Sequence, residues 1–274
     1  MLLSDIELSR RIERAEGQAG CAYVDARRNL QPENGSLCRE IAGCRAMFDG
    51  PDSPVTQTFG LGLSGPVTAT DLDEVEAFFF DRGAPVNHEI SPMADPTIWS
   101  LLTARGYTPI EFTSMLYRDL AAFPPRPVPD NDVHVRPIKP EQDAEAFVRV
   151  NLQGWSETPG LGEALNDLVR IMLHTEGLQG FLAFSGEEPI AAGSLNLRGS
   201  VAMFAGACTI PSARGRGAQR ALLEERLRTA VREGCEIAVM GAQAGSGSQR
   251  NAERAGFRIA YTRTKWQRPV NTPL

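Results

Sequence analysis

The feature that most constrains this chain is a glycine- and arginine-rich turn between a predicted strand and a predicted helix. The apolar run 201–210 (VAMFAGACTI) predicts a buried strand, and residues 218–231 carry apolar side chains at helical spacing. Between them stands the segment 214–219 (RGRGAQ). The first amides of a helix have no intrahelical partner and lie at the positive end of its dipole. The turn therefore predicts a binding site for a ligand with several phosphates.

Two residue types in this turn favour a polyanion. Gly215 and Gly217 let the backbone approach a ligand closely and adopt φ angles that a side chain forbids. Arg214, Arg216 and Arg220 add positive charge around the same turn. A Walker loop needs Lys and Ser or Thr after its last glycine, and a dinucleotide fingerprint needs a third glycine where Arg220 stands. Neither of these phosphate loops fits the segment.

The turn resembles the pyrophosphate loop of the GNAT N-acetyltransferase superfamily, whose pattern [RQ]-x-x-G-x-[GA] opens a long helix after a strand. Arg214, Gly217 and Gln219 occupy the pattern positions, with Gln219 where the family has a small residue. A predicted strand, helix and strand follow the loop's helix in the order that the family uses. The resemblance covers about residues 133–267, half of the chain.

The resemblance implies that acetyl-CoA binds along the strand before the loop, the loop itself and the second helix after it, which contains residues 248–254. The strand before the loop would pair with the pantetheine arm, and the loop would hold the pyrophosphate. For Asn251 and Arg254, a solvated helix face is an equally good interpretation. The implied acetyl-CoA-binding residues are Cys208, Thr209, Ile210, Arg214, Gly215, Arg216, Gly217, Ala218, Gln219, Ser248, Asn251 and Arg254.

For the general acid and the general base, the sequence offers candidates that each have an alternative interpretation. Many family members carry a tyrosine as acid at a position that is Ala252 here. Tyr261 on the following strand is the nearest aromatic hydroxyl, although strand tyrosines more often pack than catalyse. Glu157, in the loop between the first two helices of the family region, is the candidate base, with a solvated loop carboxylate as the alternative. Cys208 near the thioester suggests covalent chemistry, yet a small buried cysteine is more often inert.

The first half of the chain repeats the order of the second half. A helix is predicted over residues 4–16 with Ser4 as its cap, followed by strand-like runs at 37–48 and 55–63. The segment 59–66 (FGLGLSGP) then aligns with 204–211 (FAGACTIP). Where the loop should follow, the first copy has acidic residues that would repel phosphate, namely Asp71, Asp73 and Glu74.

We therefore predict an α/β protein with mixed sheets (α+β) that contains two GNAT-like acyl-CoA N-acyltransferase domains in tandem. Residues 1–121 are expected to form a degenerate domain without a cofactor loop. Residues 122–132 form a proline-rich linker, and residues 133–274 form the GNAT N-acetyltransferase domain.

Composition limits the function classes. A hydrophobic fraction of 42% with 23% charged residues is ordinary for a globular protein, and no apolar run approaches the ~20 residues that a membrane span needs. The start of the chain lacks the uninterrupted apolar segment of a secretory signal, so a cytoplasmic protein is expected. The net charge of −6 argues against nucleic-acid binding. The odd number of cysteines without CxxC spacing predicts reduced thiols and no metal site: Cys21, Cys38, Cys44, Cys208 and Cys235.

The resemblance to the GNAT superfamily implies an N-acetyltransferase that transfers an acetyl group from acetyl-CoA to a primary amine of a small molecule. The family's reaction implies direct attack of the amine in a ternary complex. The protein is expected to be a monomer or a homodimer. The alternative is a non-catalytic acyl-CoA-binding module. A weaker third interpretation is nucleotide binding at the second glycine-rich run, 241–247 (GAQAGSG).

Overall fold

The computed structural model describes residues 3–121, 132–158 and 162–270. Apart from its last residue, the predicted linker 122–132 lies outside the described residues, as does the end of the proline-containing tail, 271–274. The helices are α1 (Ile6–Leu30), α2 (Ala69–Phe80), α3 (Thr97–Ala104), α4 (Pro140–Gly154), α5 (Gly162–Met172), α6 (Ala218–Arg232) and α7 (Gly247–Arg254). The strands are β1 (Leu37–Ile41), β2 (Cys44–Phe48), β3 (Gln57–Phe59), β4 (Val86–Ile90), β5 (Thr108–Asp119), β6 (Val133–Pro137), β7 (Leu178–Ser185), β8 (Glu188–Arg198), β9 (Val201–Thr209), β10 (Ile237–Gln243) and β11 (Arg258–Arg268).

The chain divides into two compact units. The first unit takes the described residues within Leu2–Met115, Ala242–Ala244 and Ile259–Leu274, and the second takes those within Leu116–Gly241 and Gly245–Arg258. The units therefore differ from the continuous ranges predicted from the sequence. The difference arises because β11, near the end of the chain, pairs with β4 and belongs to the first unit.

The first unit contains a mixed sheet in the order β1-β2-β3-β4-β11-β5. β3 and β4 run parallel, whereas β4 and β11 run antiparallel with Ile90 opposite Thr264 and Val86 opposite Arg268. Helices α2 and α3 contribute Leu72, Phe79 and Ile98 to a buried apolar cluster against β2 and β4. Burial of these side chains stabilises the unit.

Helix α1 is longer than predicted. The predicted helix 4–16 extends to Leu30, and its cap is Asp5, whose Oδ1 accepts the Leu8 amide at 2.9 Å, rather than Ser4. The helix continues through Gly17 and Gly20 because it packs closely on the sheet: a Cβ at Gly20 would collide with Met47 Sδ. The glycines permit close packing here and do not end the helix.

The strand-like run 37–48 is a hairpin rather than one strand. β1 and β2 pair antiparallel with Ile41 opposite Cys44, and the turn between them has Ala42 at φ 49° and Gly43 at φ 72°. Two positive φ values suit a tight turn of the hairpin type. The second predicted run, 55–63, is a strand only over β3.

The prediction that all five cysteines are reduced thiols is wrong for one pair. Cys21 on α1 and Cys38 on β1 form a disulfide, with Cα atoms 5.4 Å apart. The sequence carried no sign of the pairing because the long α1, which brings Cys21 beside β1, was not predicted. Cys44, Cys208 and Cys235 are free and buried.

The second unit contains the elements that were predicted for the family domain. Its strands lie in the order β10-β9-β8-β7-β6, with residues 116–119 next to β10. β9 and β10 run parallel, and the pairs from β9 to β6 run antiparallel. Phe147 and Val150 of α4 pack with Leu182 of β7 in a buried cluster that also contains Cys208. None of the described helices is long and apolar enough to cross a bilayer.

Candidate active site

The loop between β9 and α6 has the backbone that its sequence predicted. A short 3-10 turn over Pro211–Ala213 follows β9, and Gly215 and Gly217 have φ values of 82° and 86°. Gly217 is the N-cap of α6, and no side chain caps the helix. An uncapped first turn leaves amide donors at the positive end of the helix dipole.

The side chains of the loop divide into anchors and exposed cations. Gln219 Nε2 donates to Thr209 Oγ1 at 2.8 Å, which ties the first turn of α6 to the end of β9. The side chain at the family's small position is therefore an anchor of the loop. Arg214, Arg216 and Arg220 are exposed around the turn. Ala218 is buried beneath the loop.

A cleft of about 540 Å³ opens in the second unit beside this loop. It brings together many of the residues predicted from the sequence, including Glu157, and adds others from β9, β10, α4 and α6. Ile210, Gly215, Arg216, Gly217, Ala218 and Arg254 are not part of its wall. The wall consists of Gly154, Trp155, Glu157, Thr158, Ala207, Cys208, Thr209, Arg214, Gln219, Leu223, Arg226, Met240, Gly247, Ser248, Asn251 and Ala252.

Strand β9 carries a bulge where it borders the cleft. The pairing with β8 shifts register between Ala192 and Ser194, and Gly206 of β9 has φ 58°. Ser194 Oγ donates to Ala205 O at 3.0 Å across this irregularity. A bulge interrupts the hydrogen-bond ladder, and Ala207, beside this bulge, lines the cleft.

Helix α7 forms the opposite wall. Ser246 caps it by accepting the Gln249 amide at 3.1 Å. Ser248 and Asn251 line the cleft, whereas Arg254 donates to Asn251 Oδ1 at 3.3 Å and lines a neighbouring cavity of about 200 Å³. The glycine-rich run before the helix is the connection into α7.

Glu157 stands at the mouth of the cleft. Its Oε2 accepts from Arg214 Nη1 at 2.7 Å, and both side chains are more than half exposed. The pair links the segment after α4 to the loop before α6. A carboxylate beside the cleft is placed to accept a proton, and the same contact occupies the first arginine of the loop.

Tyr261 does not lie in the cleft. It belongs to the first unit, where its hydroxyl donates to Glu13 Oε1 at 2.7 Å, and burial raises its pKa. The sequence could not indicate this contact, because the two residues are 248 positions apart. The family's tyrosine position, Ala252, is fully buried in the cleft wall and carries no hydroxyl.

Cys208 is in the cleft wall, where burial disfavours the thiolate form of its side chain. Its Sγ lies 3.7 Å from Val150 O and from Asn151 Oδ1, and burial raises the pKa of the thiol to about 12. The neutral thiol predominates at physiological pH. The interpretation of Cys208 as a buried filler is therefore favoured over covalent chemistry.

Arg226 is the site residue that sequence reasoning missed. It is 2% exposed, lines the cleft, and lies over the Phe204 ring at 5.0 Å. Burial lowers the pKa of its guanidinium to about 10, so it stays charged at neutral pH. The available signal was its position: Leu222, Arg226 and Ala230 follow one another at i, i+4 spacing on the apolar stripe of α6.

The corresponding helix start in the first unit is closed. Thr68 caps α2 by accepting the Asp71 amide at 3.2 Å, and Asp71 Oδ2 accepts the Thr68 amide at 2.8 Å. The helix's own side chains satisfy two of its orphan amides and place a carboxylate there. The first turn of α2 therefore has fewer free amide donors than that of α6 and carries a negative charge.

Comparison with known proteins gives a family match for part of the chain. Residues 144–257 match the model of the acetyltransferase (GNAT) family. No curated protein sequence matches the chain.

Solved structures share the fold at low identity. A GCN5-related N-acetyltransferase from Kribbella flavida has a TM-score of 0.70 and 14% identity, covering 95% of this chain and 95% of that chain. A GCN5-related N-acetyltransferase from Sphaerobacter thermophilus has a TM-score of 0.60 and 17% identity, over 87% and 76% of the two chains. A tandem GNAT protein from the clavulanic acid biosynthesis pathway has a TM-score of 0.60 and 14% identity, over 84% and 79%.

The structural likeness covers both compact units and fits a tandem GNAT arrangement. The family match covers the cleft and its loop. Residues 144–257 therefore match the acetyltransferase (GNAT) family, and this match supports an acyltransferase enzyme.

Proposed function

We propose that the chain transfers an acetyl group from acetyl-CoA to the primary amine of a small molecule. The observation that carries this proposal is the uncapped start of α6, with its left-handed glycines and exposed arginines, next to the cleft of about 540 Å³. Backbone amides and guanidinium groups together suit a diphosphate.

The donor is assigned to the strand and loop. Backbone groups of Cys208, Thr209 and Ile210 would bind the pantetheine arm, and residues 214–219 would hold the pyrophosphate. Ser248 and Asn251, which line the opposite wall, would contact the arm. The bulge of β9 supports this assignment, because it frees backbone groups from the ladder on the cleft side.

The chemistry is direct attack in a ternary complex. The amine nitrogen forms a bond to the thioester carbonyl carbon, the carbon–sulfur bond breaks, and the electron pair leaves with the CoA thiolate. Glu157 is the candidate to take the amine proton, either directly or through water. With Ala252 at the family's tyrosine position, the thiolate takes its proton from water.

An amine panel tests the proposal. Acetyl-CoA is mixed with the protein and with small primary amines, and the release of free CoA thiol is followed. We expect release that depends on one class of amine, with an equal amount of N-acetylated product by mass spectrometry. A mixture without amine controls for hydrolysis. Binding of acetyl-CoA without release for any amine would contradict the proposal and favour the non-catalytic acyl-CoA-binding module.

A further inference from the structure

Arg226 is a buried cation in the cleft wall, and among the described residues it has no acidic partner. Its Nε donates to Leu222 O at 3.2 Å, and its Nη1 donates to Ser194 O at 3.0 Å. Within the described ranges 3–121, 132–158 and 162–270, no carboxylate lies within ion-pairing distance of its guanidinium. The carboxylate in the cleft wall, Glu157, pairs with Arg214.

Three other buried arginines have a carboxylate beside them, whereas a fourth, Arg118, donates to Ala255 O. Arg27 lies 2.9 Å from Asp49, Arg263 lies 2.9 Å from Glu89, and Arg268 lies 2.7 Å from Glu76. A buried charge without a counter-charge is costly, because carbonyl oxygens and an aromatic ring replace only part of its hydration. In contrast to these paired arginines, Arg226 would gain a counter-charge from an anion that binds in the cleft.

The guanidinium also has donors to spare. Its Nε and Nη1 hydrogens are directed at Leu222 O, Ser194 O and Ala205 O, the last at 3.5 Å. In the part of the chain that the structure describes, Nη2 has no acceptor. An arginine fork anchored on one side presents its remaining donors in fixed positions, which is the arrangement that recognises a carboxylate.

The position of Arg226 separates it from the phosphate-binding loop. It lies eight residues after Ala218, which is about 12 Å along the axis of α6 at the standard helical rise. Its contact with Ala205 O places it beside the bulge of β9. Under the proposed function, this is the inner end of the cleft, where the thioester and the amine meet.

We propose that Arg226 is a specificity-determining residue that binds a carboxylate of the substrate at the inner end of the cleft. This inference rests on the proposed function. The carboxylate belongs either to the acyl group of the donor, as in a dicarboxylic acyl-CoA, or to the acceptor, as in an amino acid. Both sources present the same planar anion to the guanidinium.

Matched substrate pairs test the inference in two arms. In the donor arm, calorimetry compares succinyl-CoA with butyryl-CoA, which has the same chain length and no carboxylate. In the acceptor arm, CoA-thiol release and calorimetry in the presence of CoA compare amino acids with their carboxamides. In one arm we expect the wild-type protein to favour the carboxylate roughly tenfold to a hundredfold, the range for a buried hydrogen bond to a charged group. The arm that shows the preference identifies the source.

Three variants assign the preference to the residue. In Arg226→Met the preference is expected to fall to near unity, and in Arg226→Lys, which keeps the charge without the fork, it is expected to shrink but keep its direction. Arg232→Met on the exposed face of the same helix should leave it unchanged. Equal affinities for both members of every pair in the wild-type protein would overturn the inference even if Arg226→Met does not fold. A full preference in folded Arg226→Met would also overturn it.

The proposed function fails separately from the inference. Absence of transfer to every amine would contradict acetyl transfer, while the calorimetric comparison of the pairs would still decide whether Arg226 binds a carboxylate. Acetyl transfer without any carboxylate preference would support the proposed function and contradict the inference.

Discussion

At the residue scale, Arg214 cannot keep its contact with Glu157 and also bind a phosphate with the same donor. The pair joins two side chains that are 52% and 62% exposed. An exposed pair of this kind is worth at most about 1 kcal/mol, because water and salt screen it. A diphosphate at the loop would therefore displace Glu157 from Arg214 at little cost. The released carboxylate would then be available to an incoming amine.

Glu157→Gln separates binding from proton transfer. Loss of the carboxylate frees Arg214, so we expect acetyl-CoA to bind up to about fivefold more tightly in calorimetry. Loss of the proposed base should lower kcat for amine acetylation about a hundredfold. Glu225→Gln, which removes a carboxylate paired with arginines elsewhere on α6, is the control and should change neither value. An unchanged kcat would assign Glu157 to the alternative, a solvated loop carboxylate.

Site residues were predictable from the sequence where their role is local. The φ values of Gly215 and Gly217 follow from a turn between a strand and a helix, and the sequence shows that turn directly. The roles of Arg226 and Tyr261 depend on contacts with residues distant in sequence. Arg226 lies buried on the apolar stripe of α6, and Tyr261 donates to Glu13 in the first unit. Periodicity assigns such residues to a face, but it does not show which partners that face meets.

At the element scale, the starts of three helices explain which of them can bind an anion. Helix α6 begins at a glycine without a cap, α2 begins with a closed capping box at Thr68 and Asp71, and α7 is capped by Ser246. A phosphate needs free amides, so α6 is the one of these three that offers them. The caps of α2 and α7 instead accept first-turn amides and stabilise these helices.

Ser246→Ala tests whether the cap of α7 supports the cleft. Removal of an N-cap costs about 1 kcal/mol, so the first turn of α7, with Gly247 and Ser248 in the cleft wall, should fray. We expect the dissociation constant of acetyl-CoA to rise by up to about fivefold. Thr68→Ala removes the comparable cap from α2 and should lower the melting temperature without changing this affinity. Equal effects of both variants on affinity would contradict the proposed role of α7.

Helices and strands were predicted best where the hydrophobic pattern and the positions of turn residues agree. The strand β9 and the helix α6 follow from the apolar run at 201–210, the helical spacing over 218–231 and the glycine turn between them. The predicted helix at 4–16 was too short, because α1 continues through Gly17 and Gly20, where the helix packs closely against Arg45 and Met47. Tertiary contact overrode local propensity at this point.

At the scale of the whole molecule, the compact units are not two continuous segments. Strand β11 follows α7 in the chain but pairs with β4 in the first unit. Residues 116–120 in turn belong to the second unit, where the Leu120 amide donates to Glu236 O at 2.8 Å. The internal repeat predicted two similar halves, but it could not show which strands pair, because partners distant in sequence leave no local pattern.

A truncated chain tests this exchange of strands. The fragment 133–274 lacks β4, the partner of β11, and also lacks residues 116–120. An unpaired strand edge is a template for association with another chain. We expect the fragment to aggregate or dimerise in size-exclusion chromatography with light scattering, with the full chain as the reference. A soluble, monomeric and fully active fragment would show that these pairings are not needed.

The most direct test of the central claim is calorimetry of acetyl-CoA on the full chain and on two variants at Gly217. Asn and Asp both tolerate the left-handed φ of 86° at this position better than other side chains, and they differ by one negative charge. The account predicts one site per chain in the wild-type protein, weakened binding in Gly217→Asn, and no binding in Gly217→Asp, with circular dichroism unchanged in both. Wild-type affinity in folded Gly217→Asp, or two equivalent sites in the wild-type chain, would contradict it.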